Sequence, residues 1–202
     1  MALPPVLEKG LQNYWLKRGI RLGLPADVHL KELSGELGGL DLFIISAGMG
    51  ELNEMLDFEL EQRTIDTNIY GFTYIADWAF HFFQKQESGH LVGITSVAGI
   101  RGNRVAPAYN ASKAYQINYL EGFRQKANKW NDQIIITDIR PGFVDTAMAK
   151  GDGQFWVAAV NKVIHQIYHA ILRKRKVVYV SKRWIIIGLI LKWLPGKIYE
   201  KF

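Results

Sequence analysis

The stretch Leu91-Val-Gly-Ile-Thr-Ser-Val-Ala-Gly-Ile-Arg-Gly-Asn-Arg-Val-Ala-Pro-Ala-Tyr-Asn-Ala-Ser-Lys113 decides how this chain folds. Its first six residues are apolar and β-branched without polar alternation, the pattern of a strand covered on both faces. Gly99, Gly102 and Pro107 then break the run. From 108 to 129 apolar residues recur at helical spacing. Strand, loop and helix in this order form one step of a parallel sheet with crossover helices.

The same reading extends in both directions. Residues 41–46 (Asp-Leu-Phe-Ile-Ile-Ser), 134–139 (Ile-Ile-Ile-Thr-Asp-Ile) and 177–180 (Val-Val-Tyr-Val) are further buried strands, and residues 56–86 and 155–173 are helical, with shorter helices at 12–21 and 28–37. Alternating strands and helices predict an α/β fold with right-handed crossovers, a Rossmann-like doubly wound parallel sheet. One domain over 1–202 is expected: 41–150 is its core, 1–40 fit the pattern poorly, and 174–202 form a basic and apolar end.

Composition agrees with a folded globular chain: 49% of the 202 residues are hydrophobic and 22% charged. There is no cysteine, which excludes disulfides and thiolate chemistry and leaves no thiolate ligand for zinc; no metal is expected. The first ten residues lack a signal-like apolar core, and the longest apolar stretch, 184–194, falls short of the roughly 20 residues that span a bilayer. A cytoplasmic location is expected. The net charge of +6 is uneven: from Asn161 onward ten Lys/Arg face one acid, Glu200. A basic end is not a uniform nucleic-acid surface, and no such partner is expected.

Tyr109 and Lys113 stand one helical turn apart, on one face. By itself the pair is weak, because nine tyrosines and fifteen lysines give roughly 0.7 such pairs by chance. The surroundings are informative. Ser46-Ala47-Gly48, Asn68, Thr95-Ser96, Tyr109-Asn-Ala-Ser-Lys113 and Arg140-Pro141-Gly142 resemble, in order and spacing, the short-chain dehydrogenase/reductase family.

That resemblance implies a nicotinamide-dependent oxidoreductase acting on a small-molecule carbonyl/alcohol pair with NAD or NADP. Tyr109 would be the acid/base, Lys113 would lower its pKa and bond the ribose hydroxyls, and Ser96 would orient the substrate oxygen. Asn68 would hold a helix irregularity and a relay water. Ser46, Ala47, Gly48, Pro141, Gly142, Val144 and Thr146, with Tyr109 and Lys113, would line the cofactor. Ile45-Ser46 stands where the family usually has two asparagines. A phenol of pKa about 10 is too weak an acid for this role unless its anion is stabilised, which gives the lysine its purpose.

The family's glycine-rich opening is missing. No G-x-x-x-G-x-G pattern precedes Ser46. Asp27-Val28 is either a remnant of the adenine-contacting segment or a helix cap. Without the central strand of that unit, strand 41–46 is expected to have an unpaired apolar edge, and dinucleotide affinity and reductase activity are expected to be low. The competing expectation is a shortened, non-catalytic chain serving as a structural or binding module. Substrate choice should lie in 97–105 and after Thr146, where Met148, Phe155 and Trp156 either face a bulky partner or are plain core.

At the end, Arg173-Lys-Arg-Lys176 and Lys182-Arg183 precede Trp184-Ile-Ile-Ile-Gly-Leu-Ile-Leu-Lys-Trp-Leu194. This resembles an interfacial membrane anchor; the other reading is a core helix or the interface of a homo-oligomer.

Overall fold

The computed structural model describes residue 30 and residues 34–130, 133–146 and 155–201. The expected helix at 12–21, Asp27, Val28 and Met148 lie outside them. The chain divides into two compact units, residues 1–39 and 40–202. In the first, the N–H of Gly38 donates to the Gly35 carbonyl at 3.2 Å, and Gly38 takes a φ of +69°.

The second unit holds a sheet of four parallel strands in the order β1-β2-β3-β4: β1 (Leu42–Ile45), β2 (Gly89–Ile94), β3 (Ile134–Pro141) and β4 (Val177–Val180). Phe43 pairs with Leu91, Leu91 with Ile136 and Ile139 with Val178, so the apolar runs lie in register. Among the described residues β2 is the sole strand partner of β1.

The crossovers are α1 (Phe58–Ile65), a π-helical turn (Asp66–Gly71) and α2 (Phe72–Gln86) between β1 and β2, α3 (Pro107–Trp130) between β2 and β3, and α4 (Val160–Leu172) between β3 and β4. After β4 come α5 (Trp184–Trp193) and α6 (Gly196–Tyr199). Each face of the sheet has its own core, because successive strand residues point to opposite sides. Leu91, Ile134 and Ile136 pack with Phe72, Phe80, Phe83, Leu120 and Phe123; their neighbours Val92 and Ile139 pack with Val163, Ala170 and Val180. Helices on both faces explain why the strands read as continuous apolar runs.

Two helices differ from their sequence patterns. The single helix expected over 56–86 begins at Phe58, where Asp57 caps it by accepting from the Glu59 N–H at 2.9 Å, and is interrupted by the π turn. The helix expected from 155 starts at Val160. Its first residues are extended because Ala158 bridges to Val144, an interaction 14 residues away that helical periodicity cannot register. The turn into β2 requires Gly89, at φ +153°, since a Cβ there would stand 2.0 Å from the Phe83 ring.

Candidate active site

All four strands end on one side, where open parallel sheets bind ligands. Ser46-Ala47-Gly48 follows β1, Ser96 follows β2, and Pro141 ends β3. Ser96 sits at the start of a short 3-10 turn (Val97–Ile100), its Oγ accepting from the Ala98 N–H at 3.1 Å. This turn is pressed onto α3: a Cβ on Gly99 would fall 2.6 Å from the Lys113 carbonyl carbon. The Asn110 amide also donates to the carbonyls of Ala98 and Arg101, both at 2.8 Å. These contacts bring Ser96 to the Tyr109 side, near enough for its hydroxyl to act on the phenol.

Lys113 is buried, 4% exposed, in the second turn of α3. Its Nζ lies 5.9 Å from the centre of the Tyr109 ring and donates to the Ile94 carbonyl at 3.2 Å and to Gln116 Oε1 at 2.9 Å. Burial lowers its pKa to about 8, and the charge of Asp138 opposes that shift. For Tyr109 the expected direction is reversed. Burial raises the phenol pKa while the nearby Ser96 hydroxyl pulls it down. An ammonium nearly six ångströms from the ring and already bonded elsewhere does not overcome desolvation.

Asn68 lies in the π turn and is fully buried. Its side chain accepts from the Met49 N–H at 2.9 Å and donates to the Met49 carbonyl at 2.7 Å and to Ser112 Oγ at 2.9 Å. Asn68 therefore ties the segment after β1 to α3. Its own carbonyl accepts from Gln116 Nε2 at 2.8 Å, completing a buried line from Lys113 through Gln116 to Asn68. Behind it, Asp138 on β3 accepts from Thr95 Oγ1 at 2.6 Å and pairs with Arg140 at 2.7 Å; Arg140 in turn reaches the Tyr179 hydroxyl.

The remaining expected residues divide. Gly48 joins the group, since a Cβ there would lie 3.3 Å from Lys113 Nζ and 3.5 Å from Asn68 Oδ1. Ser46 and Ala47 are exposed at the end of β1. The Gly142 N–H is taken by the Val180 carbonyl at 2.7 Å, and a Cβ on Gly142 would meet the Trp184 indole at 2.0 Å. Pro141 pairs with Val180 at the end of β3, Val144 bridges to Ala158, and Thr146 is exposed with its hydroxyl 3.4 Å from the Val144 carbonyl. Phe155 and Trp156 are both exposed, though their rings pack on Trp184, with Phe143 beside them.

Three residues escape sequence reasoning. Gln116 holds Lys113, Asn110 holds the loop after Ser96, and Gly50 lies so close to Tyr109 that a Cβ would stand 2.5 Å from its ring. The one signal available for Gln116 was a glutamine on the same helical face as Lys113, one turn on.

Chemically, the group offers a phenol near a serine hydroxyl, beside a lysine of lowered pKa. An ammonium has three donors, and Lys113 has spent two on Ile94 and Gln116, leaving one for a ligand hydroxyl. The close approach at Gly48 leaves backbone in place of a side chain beside it. This arrangement fits the ribose and nicotinamide side of a dinucleotide.

Comparison with known proteins gives the family. The family model for short chain dehydrogenase matches residues 26–155. An uncharacterized oxidoreductase of Staphylococcus aureus (strain USA300) is 34% identical over 135 residues, covering 62% of this chain and 58% of the relative. Another, of Myxococcus xanthus (strain DK1622), is 34% identical over 121 residues, covering 59% of this chain and 47% of the relative. The chain thus spans about half the length of these relatives. Among solved structures, a short chain dehydrogenase from Burkholderia cenocepacia J2315 in complex with NADP has a TM-score of 0.73 at 17% identity, over 86% of this chain and 75% of that one. A bulky-bulky ketone specific alcohol dehydrogenase from Comamonas testosteroni has a TM-score of 0.64 at 20% identity, over 86% and 68%. At such identities the likeness shows the fold.

Proposed function

From the premise that this chain belongs to the short-chain dehydrogenase family of oxidoreductases, we propose that its site interconverts a small carbonyl compound and the corresponding alcohol with NAD or NADP, using Tyr109 as acid/base. The observation that carries the reading is the group of half-buried Ser96 and Tyr109 with buried Lys113, held by the contacts of Gly99 and Asn110. When bound, the nicotinamide supplies or takes up the hydride. Everything else is the work of the chain.

Ser96 Oγ holds the substrate oxygen against the Tyr109 hydroxyl, and Tyr109 gives that oxygen its proton in reduction and takes it back in oxidation. Lys113, with its one free donor, binds the ribose and supplies positive charge near the phenol. The raised pKa of Tyr109 suits this division: the phenol carries its proton until substrate and cofactor arrive. Asn68 positions Lys113 through Gln116. Gly48 lines the nicotinamide side, joined by Ser46, Ala47, Pro141, Gly142, Val144 and Thr146 at the strand ends, where Gly142 offers its carbonyl side, its N–H being taken. The site works in the cytoplasm, and the molecule associates with copies of itself.

The second reading, a binding module without turnover, is favoured by one observation. None of the 45 residues before Ser46 provides the G-x-x-x-G-x-G turn whose backbone N–H groups would hold the pyrophosphate. The 202 residues on their own are therefore expected to bind NADH and NADPH more weakly than micromolar. Calorimetric titration with each decides the point: micromolar binding to monodisperse protein would overturn the weak-affinity expectation. Turnover at millimolar cofactor separates the two readings. Carbonyl-dependent consumption of reduced nicotinamide that Tyr109→Phe removes supports the oxidoreductase, and its absence across ketone and aldehyde panels supports the module.

A further inference from the structure

Helix α5 has two apolar faces. Trp184 and Gly188 are buried and Ile187 and Leu191 half-buried, with Gly188 so close to the Tyr179 ring that a Cβ would lie 2.9 Å from it. The opposite face consists of Ile185, Ile186, Leu189, Ile190 and Trp193, which are 40–78% exposed. A surface helix ordinarily turns charged residues outward, so five large apolar side chains facing solvent need a cover. Around them stand Lys182 and Arg183 before the helix, Lys192 within it, and Lys197 and Lys201 after it, against Glu200 as the acid of this segment.

We propose that this face docks on an anionic lipid bilayer, with α5 lying in the plane of the surface and the basic rim against lipid phosphates. The length of the helix decides between lying and crossing. Ten residues at about 1.5 Å each reach about half of the ~30 Å hydrocarbon core, and no described helix is long and apolar enough to cross a membrane. The charges decide between lipid and a second copy. Two copies joined through this face would bring two strongly basic rims together, whereas anionic headgroups complement them. Trp193, the most exposed aromatic of the helix, and half-buried Tyr199 supply amphipathic rings suited to the headgroup level.

Flotation of the full chain with phosphatidylcholine vesicles, with and without phosphatidylglycerol, tests this. The expected result is co-flotation with the anionic vesicles at low salt, falling as salt rises, and much less with phosphatidylcholine alone. Lys192→Gln with Lys197→Gln should weaken binding by about thirtyfold at low salt. Ile190→Ser with Trp193→Ser, both at exposed positions, should abolish it with an unchanged circular dichroism spectrum. If that variant does not fold, quenching of the wild-type tryptophan fluorescence by brominated lipid gives the same answer without substitution. Protein that stays at the bottom with anionic vesicles at low salt overturns the proposal. So does binding that survives loss of Ile190 and Trp193, and so does a dimer in sedimentation that Trp193→Ser dissolves while vesicles go unbound, which would assign the face to a second copy.

Discussion

Gln116 passes one hydrogen bond from Lys113 to its Oε1 and another from its Nε2 to the Asn68 carbonyl, and it is fully buried. Its acceptor oxygen favours the charged lysine against the desolvation that brings the pKa to about 8. Gln116→Met should therefore push the Lys113 pKa further down, and Gln116→Glu should raise it. Titration of the Lys113 13Cε resonance, assigned through Lys113→Arg, reads both in protein without cofactor; an unmoved midpoint in Gln116→Met would remove Gln116 from the site. Tyr109→Phe keeps the ring that packs on Gly50 and deletes the proton, so kcat in a version that turns over should fall by about 10²–10⁴-fold with little change in melting temperature. At this scale the sequence shows the residues that carry chemistry, because Tyr109 and Lys113 stand at fixed helical spacing. It does not show those that position them. Gln116 acts through Asn68, 48 residues earlier, and Asn110 through a loop whose fold is set by Gly99. The sign of the Tyr109 shift was not legible either, since it follows from burial that only the packed structure supplies.

Between strands β2 and β3, His90 and Thr137 are buried diagonal neighbours, His90 standing opposite Ile135, with His90 Nε2 2.8 Å from Thr137 Oγ1. Thr137 donates its own hydrogen to the Arg175 carbonyl at 2.6 Å, so it accepts from His90, which is neutral with its proton on Nε2. Burial, and then the charge of Lys174, lower the His90 pKa from 6.5 to about 4. Between these values the unfolded chain binds the proton and the folded one does not, so stability rises with pH across this window and is lost as pH falls from 6.5 toward 4. The loss is at most about 3 kcal/mol. Urea melts at steps across that range should show it, and His90→Gln should flatten the dependence. Elements were the most legible level: all four strands fall within a few residues of their apolar runs. The π turn was not readable as an element, because its cause is the demand of Asn68 for Met49 and Ser112 rather than any local propensity.

In the whole molecule, continuous apolar strands foretold a parallel sheet with two covered faces, and the two cores on either side of Leu91 and Val92 are that arrangement. The placement of the carboxyl-terminal helices was not foretold, because it rests on contacts made 90 or more residues apart. Arg101 donates to the Leu191 carbonyl at 2.9 Å and to that of Leu194, stacks its guanidinium 5.1 Å from the centre of the Tyr199 ring, and stands beside Gly102, whose carbonyl takes the Tyr199 hydroxyl at 2.5 Å. One side chain thus joins the last turn of α5 to the loop that begins at Ser96. Such a joint obeys reciprocity: the free energy by which order in one partner favours order in the other is the same in both directions. Arg101→Ala should accordingly speed amide hydrogen exchange in 97–102 and in 184–199 together, whereas acceleration confined to one segment would mean they fluctuate independently. Anything that grips the tail is then felt as stiffness around Ser96, and anything that fills the site is felt as stiffness in the tail.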